Sequence, residues 1–158
     1  MKRIVTAFLA LAVLAAVVTL STTSKHTVPA VYAQSGCSNA TLTGNYPFVY
    51  KGFDAPGTNS NNGMNNTPVA AVGVLAFTPT NGNAGTVILR YTFVSNGKVG
   101  TEGVGDGGTY TVNSDCTGTL TDTTQGLHWN IVTVGGGAEL FAIQTDASFT
   151  DTLEAKKQ

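Results

Sequence analysis

The sequence predicts an all-β protein: a single antiparallel up-and-down barrel of eight to nine strands, with a β-sandwich as the alternative. Three observations predict it. Beyond residue 33 no stretch holds apolar residues at the spacing of a helix, whereas several runs alternate apolar and polar side chains. Turn-forming pairs, Asn81-Gly82, Asn96-Gly97 and Asp146-Ala147, punctuate those runs. The runs are short and follow one another at hairpin spacing, which leaves little room for crossovers and suits a sheet that closes on itself.

The N-terminus has a different character. Lys2 and Arg3 precede an uncharged apolar run, Ile4–Leu20, and Val31-Tyr32-Ala33 stands before Gln34. These features predict a secretion signal over 1–33, cleaved after Ala33, and a single domain over 34–158. The apolar run sits at the lower limit for spanning a bilayer and has no stop-transfer flank. Gln34, Ser35 and Gly36 before Cys37 do not make a lipid-attachment box. The expected location is secreted, periplasmic or extracellular, with no stable membrane insertion once the signal is gone.

Cleavage changes the charge balance. Lys2, Arg3 and Lys25 leave, and five cations remain against nine carboxylates. An acidic chain with so few cations repels phosphate backbones, which excludes nucleic acid as an expected partner. Solubility then rests on Thr, Asn, Ser and Gly, a composition shared by extracellular β-proteins and by self-assembling ones. Cys37 and Cys116 are the two cysteines, and an even count in an oxidising compartment reads as one disulfide.

The elements follow in order. Ala40–Lys51 is the first expected strand. Val69–Phe77 is almost continuously apolar, which predicts a strand buried on both faces. Thr86–Val94 alternates, with Val87, Leu89, Tyr91 and Phe93 on one face and Thr86, Arg90 and Thr92 on the other. Lys98–Gly103, Thr109–Asn113 and Thr117–Thr123 come next, then Leu127–Val134 with Leu127, Trp129 and Ile131 on one face. Gly135-Gly136-Gly137 turns the chain into Glu139–Thr145, and Ser148–Ala155 closes the series. Asp54–Pro68, rich in Asn, Gly and Pro, is a long polar loop between the first two strands.

One stretch carries a resemblance. Cys37 followed by Leu42-Thr43-Gly44-Asn45-Tyr46, the run Val69–Phe77, and above all Gly108-Thr109-Tyr110-Thr111-Val112-Asn113-Ser114-Asp115-Cys116-Thr117-Gly118 resemble the hallmarks of a group of small secreted bacterial β-proteins. The resemblance implies a barrel similar to the calycin-like barrel of allene oxide cyclases. It implies no activity, and no residue set matches the cyclase site. Read mechanically, Tyr110 and Val112 point inward, Asp115 accepts backbone hydrogen bonds in a turn, and Gly118 lets the chain reverse.

Few chemistries survive. His128 is the only histidine beyond the signal, no Gly-x-Ser-x-Gly elbow is present, and the serines sit in turns, so no catalytic residue is assigned. With the cysteines bridged, zinc lacks ligands. Glu102 and Asp106 fall in a Gly-rich segment read as a turn, with oxygen ligands for Ca²⁺ but without the alternating acids of a calcium loop. No metal and no cofactor is expected. Glu139 shares an alternating face with Phe141 and Ile143, a placement that would raise its pKa if that face were the barrel interior.

A barrel of about eight strands has room for one small ligand. Tyr46, Phe48, Tyr91, Phe93, Trp129 and Phe141 are the candidate lining residues. The expected function is a non-enzymatic secreted barrel that binds a small apolar ligand. A structural or surface-assembly protein that self-associates is the alternative. A cyclase- or isomerase-like enzyme is a third reading, from fold analogy alone.

Overall fold

Eight strands, each sending alternate side chains to opposite faces, close into one sheet without an edge. A computed structural model describes residues 36–54, 67–80, 84–147 and 149–158. The expected signal at 1–33, nearly all of the Asn-rich loop and the Asn81-Gly82 turn lie outside the described residues. The strands are β1 (Gly44–Asp54), β2 (Thr67–Thr78), β3 (Gly85–Ser95), β4 (Lys98–Val112), β5 (Thr117–Asp122), β6 (Leu127–Val134), β7 (Glu139–Gln144) and β8 (Thr152–Lys156). Each pairs antiparallel with the next, and β8 returns to β1 through Phe48–Ala155 and Tyr50–Leu153. The barrel is therefore up-and-down, and the sandwich alternative falls. Among the described residues no helix is long and apolar enough to cross a membrane.

Two expected strands, Lys98–Gly103 and Thr109–Asn113, are one long β4. The Gly-rich segment between them is not a turn. It runs on as strand, with register shifts opposite Tyr91–Val94 and with Gly103 at φ 64°. Glycine inside a strand commonly marks such a bulge. The true turn lies earlier, at Asn96-Gly97, where φ is 48° and 72° and Ser95 pairs with Lys98. That is the geometry an Asn-Gly hairpin adopts. The run Val69–Phe77 is also corrected: Val69, Ala71, Leu75 and Phe77 are buried, but Val72 is 59% exposed. Its apolar residues occupy both faces of the sheet, and only one face is covered.

One pole of the barrel is filled. Residues 36–43, including a short 3-10 turn at Asn39–Thr41, cross it and drop Leu42 into the interior at 0% exposure. Tyr46, Phe77 and Tyr110 stack edge to face beneath, with ring centroids 5.2 and 4.9 Å apart. Their hydroxyls find backbone partners. Tyr46 donates to the Gly137 carbonyl at 2.6 Å, and the Tyr110 hydroxyl lies 2.9 and 2.8 Å from the Asn39 and Leu42 carbonyls. The Val112 N–H donates to Asn39 Oδ1 at 2.7 Å. The disulfide Cys37–Cys116 staples this plug to the β4–β5 turn. The C-terminal residues end at the same pole, where the Gln158 N–H donates to the Asn45 carbonyl.

The β4–β5 turn shows how the Gly108–Gly118 segment works. Asp115 Oδ1 accepts from the Thr117 N–H at 3.0 Å and from its hydroxyl at 2.6 Å, as expected of a turn-forming aspartate. These bonds hold its carboxyl below the usual range. The residue in the left-handed conformation is Cys116, at φ 69°, rather than Gly118. Gly118 serves close approach instead: a Cβ there would fall 2.0 Å from the Thr111 carbonyl oxygen.

Candidate ligand-binding cavity

Side chains fill the interior only as far as the plug and the layer beneath it. Toward the opposite pole the barrel holds a cavity of about 400 Å³. Its apolar wall comes mainly from inward positions of five strands, β1, β2, β3, β6 and β8. Phe48, Ala71, Leu89, Trp129 and Leu153 lie deep, with Phe93, Leu127 and Phe149 nearer the mouth. Eight-stranded barrels are at the size where the interior either fills or admits one small ligand. Here the two outcomes share one barrel, because small residues such as Ala71 face inward at one end and Tyr46, Phe77 and Tyr110 at the other.

The polar part of the wall is acidic. Asp54 ends β1, Asp106 projects from β4 and Asp122 ends β5, and all three are buried while lining the cavity. Asp106 Oδ2 accepts from the Tyr91 hydroxyl at 2.6 Å and from Gln125 Nε2 at 2.7 Å. Asp122 Oδ1 accepts from the Thr124 and Gln125 N–H groups at 2.8 and 3.0 Å, which folds the β5–β6 turn over β4. Tyr50 donates to Asp151 Oδ2 at 2.6 Å, with Gln144 Oε1 3.2 Å away.

These contacts bias protonation in one direction. Burial pushes the Tyr91 phenol up, and the hydrogen bond and charge of Asp106 add to the rise; Gln125 opposes it and Asp122 reinforces it. Burial likewise raises Tyr50, followed by Asp151, Asp54 and Tyr91. Both phenols therefore remain protonated donors. Burial also raises the Asp122 carboxyl; the Gln125 and Thr124 N–H groups pull it back, and the charge of Asp106 adds to it. Trp129 is 6% exposed and lines the cavity, and its indole Nε1 is buried with no acceptor. A buried donor left without a partner costs about 1–3 kcal/mol, so such groups call for an explanation.

Four of the six candidate lining residues, Phe48, Tyr91, Phe93 and Trp129, meet at this cavity. Tyr46 points inward but belongs to the filled pole. Phe141 is a correction: it is 44% exposed on the outer face, and Leu140 and Ala142 are the inward residues of β7. Glu139 shares that outer face and lies 3.0 Å from Lys156 Nζ, so the apolar face it stands on is not the interior. Asp54, Asp122, Gln125, Tyr50, Leu153 and Phe149 were not among the candidates. Tyr50 was within reach, two residues beyond Phe48 on the same strand face.

His128 faces outward, with Nδ1 2.8 Å from Asp146 Oδ1 on the protein surface. Burial would raise Asp146, but the His128 N–H, its ring and its charge, with Gln144, hold the carboxyl below its ordinary value. Among the described residues no three His, Cys, Asp or Glu side chains gather as a metal site.

The fold has structural neighbours. A structure described as a redesigned β-barrel, b11L5F_LGL, is 13% identical, with a TM-score of 0.51, over 76% of this chain and 94% of its own. A second redesigned β-barrel, mFAP1, bound to DFHBI, is 13% identical, with a TM-score of 0.50, over 75% of this chain and 97% of its own. No protein-family model and no curated relative matches the sequence. At this identity the likeness establishes the barrel fold alone.

Proposed function

We propose that this chain is an exported, non-enzymatic barrel that holds one small, largely apolar molecule in its open half. One observation carries the reading: an aromatic-walled cavity of about 400 Å³ inside an otherwise filled barrel. That volume lies within the roughly 300–1,000 Å³ of small-molecule sites. The redesigned barrel of similar fold that holds DFHBI supports it by showing that such an architecture accommodates a compact ligand. Export is supported by the disulfide, which suits a compartment outside the cytoplasm, and by the signal-like residues 1–33. We place the chain beside the small secreted bacterial β-proteins whose Gly-Thr-Tyr…Asp-Cys hallmark it resembles. Assembly, the alternative, would have to use a surface other than strand edges, because the described sheet is closed.

The test uses the tryptophan as reporter. The chain has one, Trp129, and it stands in the cavity wall. Titration with the neutral apolar probe N-phenyl-1-naphthylamine is expected to change Trp129 emission saturably. Ala71→Leu, which adds three carbons to the wall, is expected to weaken that binding while the fold persists. Native mass spectrometry of protein purified from its own host is expected to show a retained small mass. An unresponsive Trp129, together with a bare protein mass, would sink the reading.

A further inference from the structure

We propose that the cavity selects an organic cation: an amine nitrogen held at the mouth by Asp106 and Asp122, on an apolar body that reaches a hydrogen-bond acceptor to Trp129 Nε1. The inference rests on the cavity being a ligand site and adds the class of ligand.

Charge inventory comes first. Three carboxyl groups line the cavity, and no Lys, Arg or His does. The described cations, Lys51, Arg90, Lys98, Lys156 and Lys157, are all exposed. Lys51 and Lys156 answer Glu154 and Glu139 on the surface. Segments 55–66 and 81–83, which lie outside the described residues, contain no charged residue at all. Asp106 and Asp122 thus receive hydrogen bonds from the Tyr91 hydroxyl, the Gln125 side chain and the Thr124 and Gln125 N–H groups, but no countercharge from the described residues. Buried carboxylates are costly when not paired with a cation. A ligand ammonium supplies that charge, and the aromatic rings of Phe93 and Tyr91 line the same cavity.

The second observation is independent of the acids. Trp129 Nε1 is a buried donor without an acceptor, on a side chain that lines the same cavity. Register sets the spacing. Leu127 pairs with Asp122, and Trp129 lies two residues deeper on the same face of β6. Two residues of strand span about 7 Å. A ligand with a cationic nitrogen and an acceptor oxygen at opposite ends of a ring-sized body matches both features. A metal ion would meet neither the apolar wall nor the indole.

Three probes of one skeleton separate charge from shape: 4-methoxyphenethylamine, 2-(4-methoxyphenyl)ethanol and 4-methoxyphenylacetate. Binding is measured by calorimetry and by Trp129 emission at neutral pH. The amine is expected to bind at least about tenfold more tightly than the alcohol, and the carboxylate more weakly than either. Asp106→Asn and Asp122→Asn, which keep an acceptor oxygen for Tyr91 and for the turn, are each expected to collapse the amine-to-alcohol ratio toward unity. Equal or better binding of the alcohol or the carboxylate overturns the charge assignment and leaves the cavity reading standing. A ratio unmoved in both variants overturns it too. If none of the three binds, or if Ala71→Leu leaves binding of all three unchanged, the cation proposal and the cavity reading fail together.

Discussion

Replacing both cysteines, Cys37→Ala with Cys116→Ala, should cost this protein a large share of its stability without changing its fold. The staple joins residues 79 apart, and the enclosed chain includes β1 to β4. Closing a loop of that length removes entropy from the unfolded chain worth about 4.5 kcal/mol at room temperature. The native plug retains other ties: the Gly36 N–H to the Ser114 carbonyl, the Val112 N–H to Asn39 Oδ1, and buried Leu42. The loss therefore falls mainly on the unfolded side of the equilibrium. With roughly 2.1 cal/mol/K per residue over about 120 residues, that energy lowers Tm by roughly 15–20 °C. The assay is urea unfolding of oxidised protein and of the double variant, followed by far-UV circular dichroism and by Trp129 emission. Both probes should give one coincident transition. A loss under about 1 kcal/mol would refute the loop-entropy reasoning. So would a separate early transition of the plug.

Other expectations are sharper in sign than in size. Because the folded-state pKa of Asp122 is raised, its contribution to stability is full below the ordinary carboxylate value of 3.8 and fades as pH climbs past the raised one. Asp122→Asn should therefore gain stability over the parent at about pH 7, and the gain should vanish near about pH 3, as read from urea midpoints. Leu140→Ala should cost about 2–5 kcal/mol and Phe141→Ala under about 1, a contrast in thermal unfolding that tests the register of β7. Gly118→Ala should destabilise by about 1–3 kcal/mol, since its methyl would collide with the Thr111 carbonyl; an unshifted Tm would contradict that contact.

Much of the architecture could be read before any coordinates. Val87 and Leu89, like Trp129 and Ile131, point inward because Thr86 and Arg90 on β3, and His128 and Asn130 on β6, mark the opposite face as the wet one, despite Ile88 and Val132 on it. The Asn96-Gly97 hairpin and the disulfide follow from residue chemistry in the same way. Phe141 shows where pattern reading fails. In β7 both faces are apolar, so alternation alone allows two registers that differ by one residue and exchange inside for outside. Hydrophobicity favours Phe141 and Ile143 inward. The pairing of Glu139 with Lys156 and of Leu140 with Ala155 turns Leu140 and Ala142 inward instead. The acidic mouth was hidden for another reason. Asp106 meets Tyr91 only because β4 runs straight through a glycine-rich stretch that reads as a turn, with its bulge resetting which residues face each other. Cavities are likewise invisible to alternation, which marks a side chain as inward without saying whether anything opposes it.

Gly36 and Gln158 both sit at the plugged pole, while the acidic opening lies at the other. A tag, a surface linkage or a fused partner joined to the described domain at either of these points is consequently held behind the barrel and leaves its entrance facing the medium. A molecule immobilised by its tail would keep free exchange with solutes, which suits both display on a surface and the attachment chemistry of a sensor.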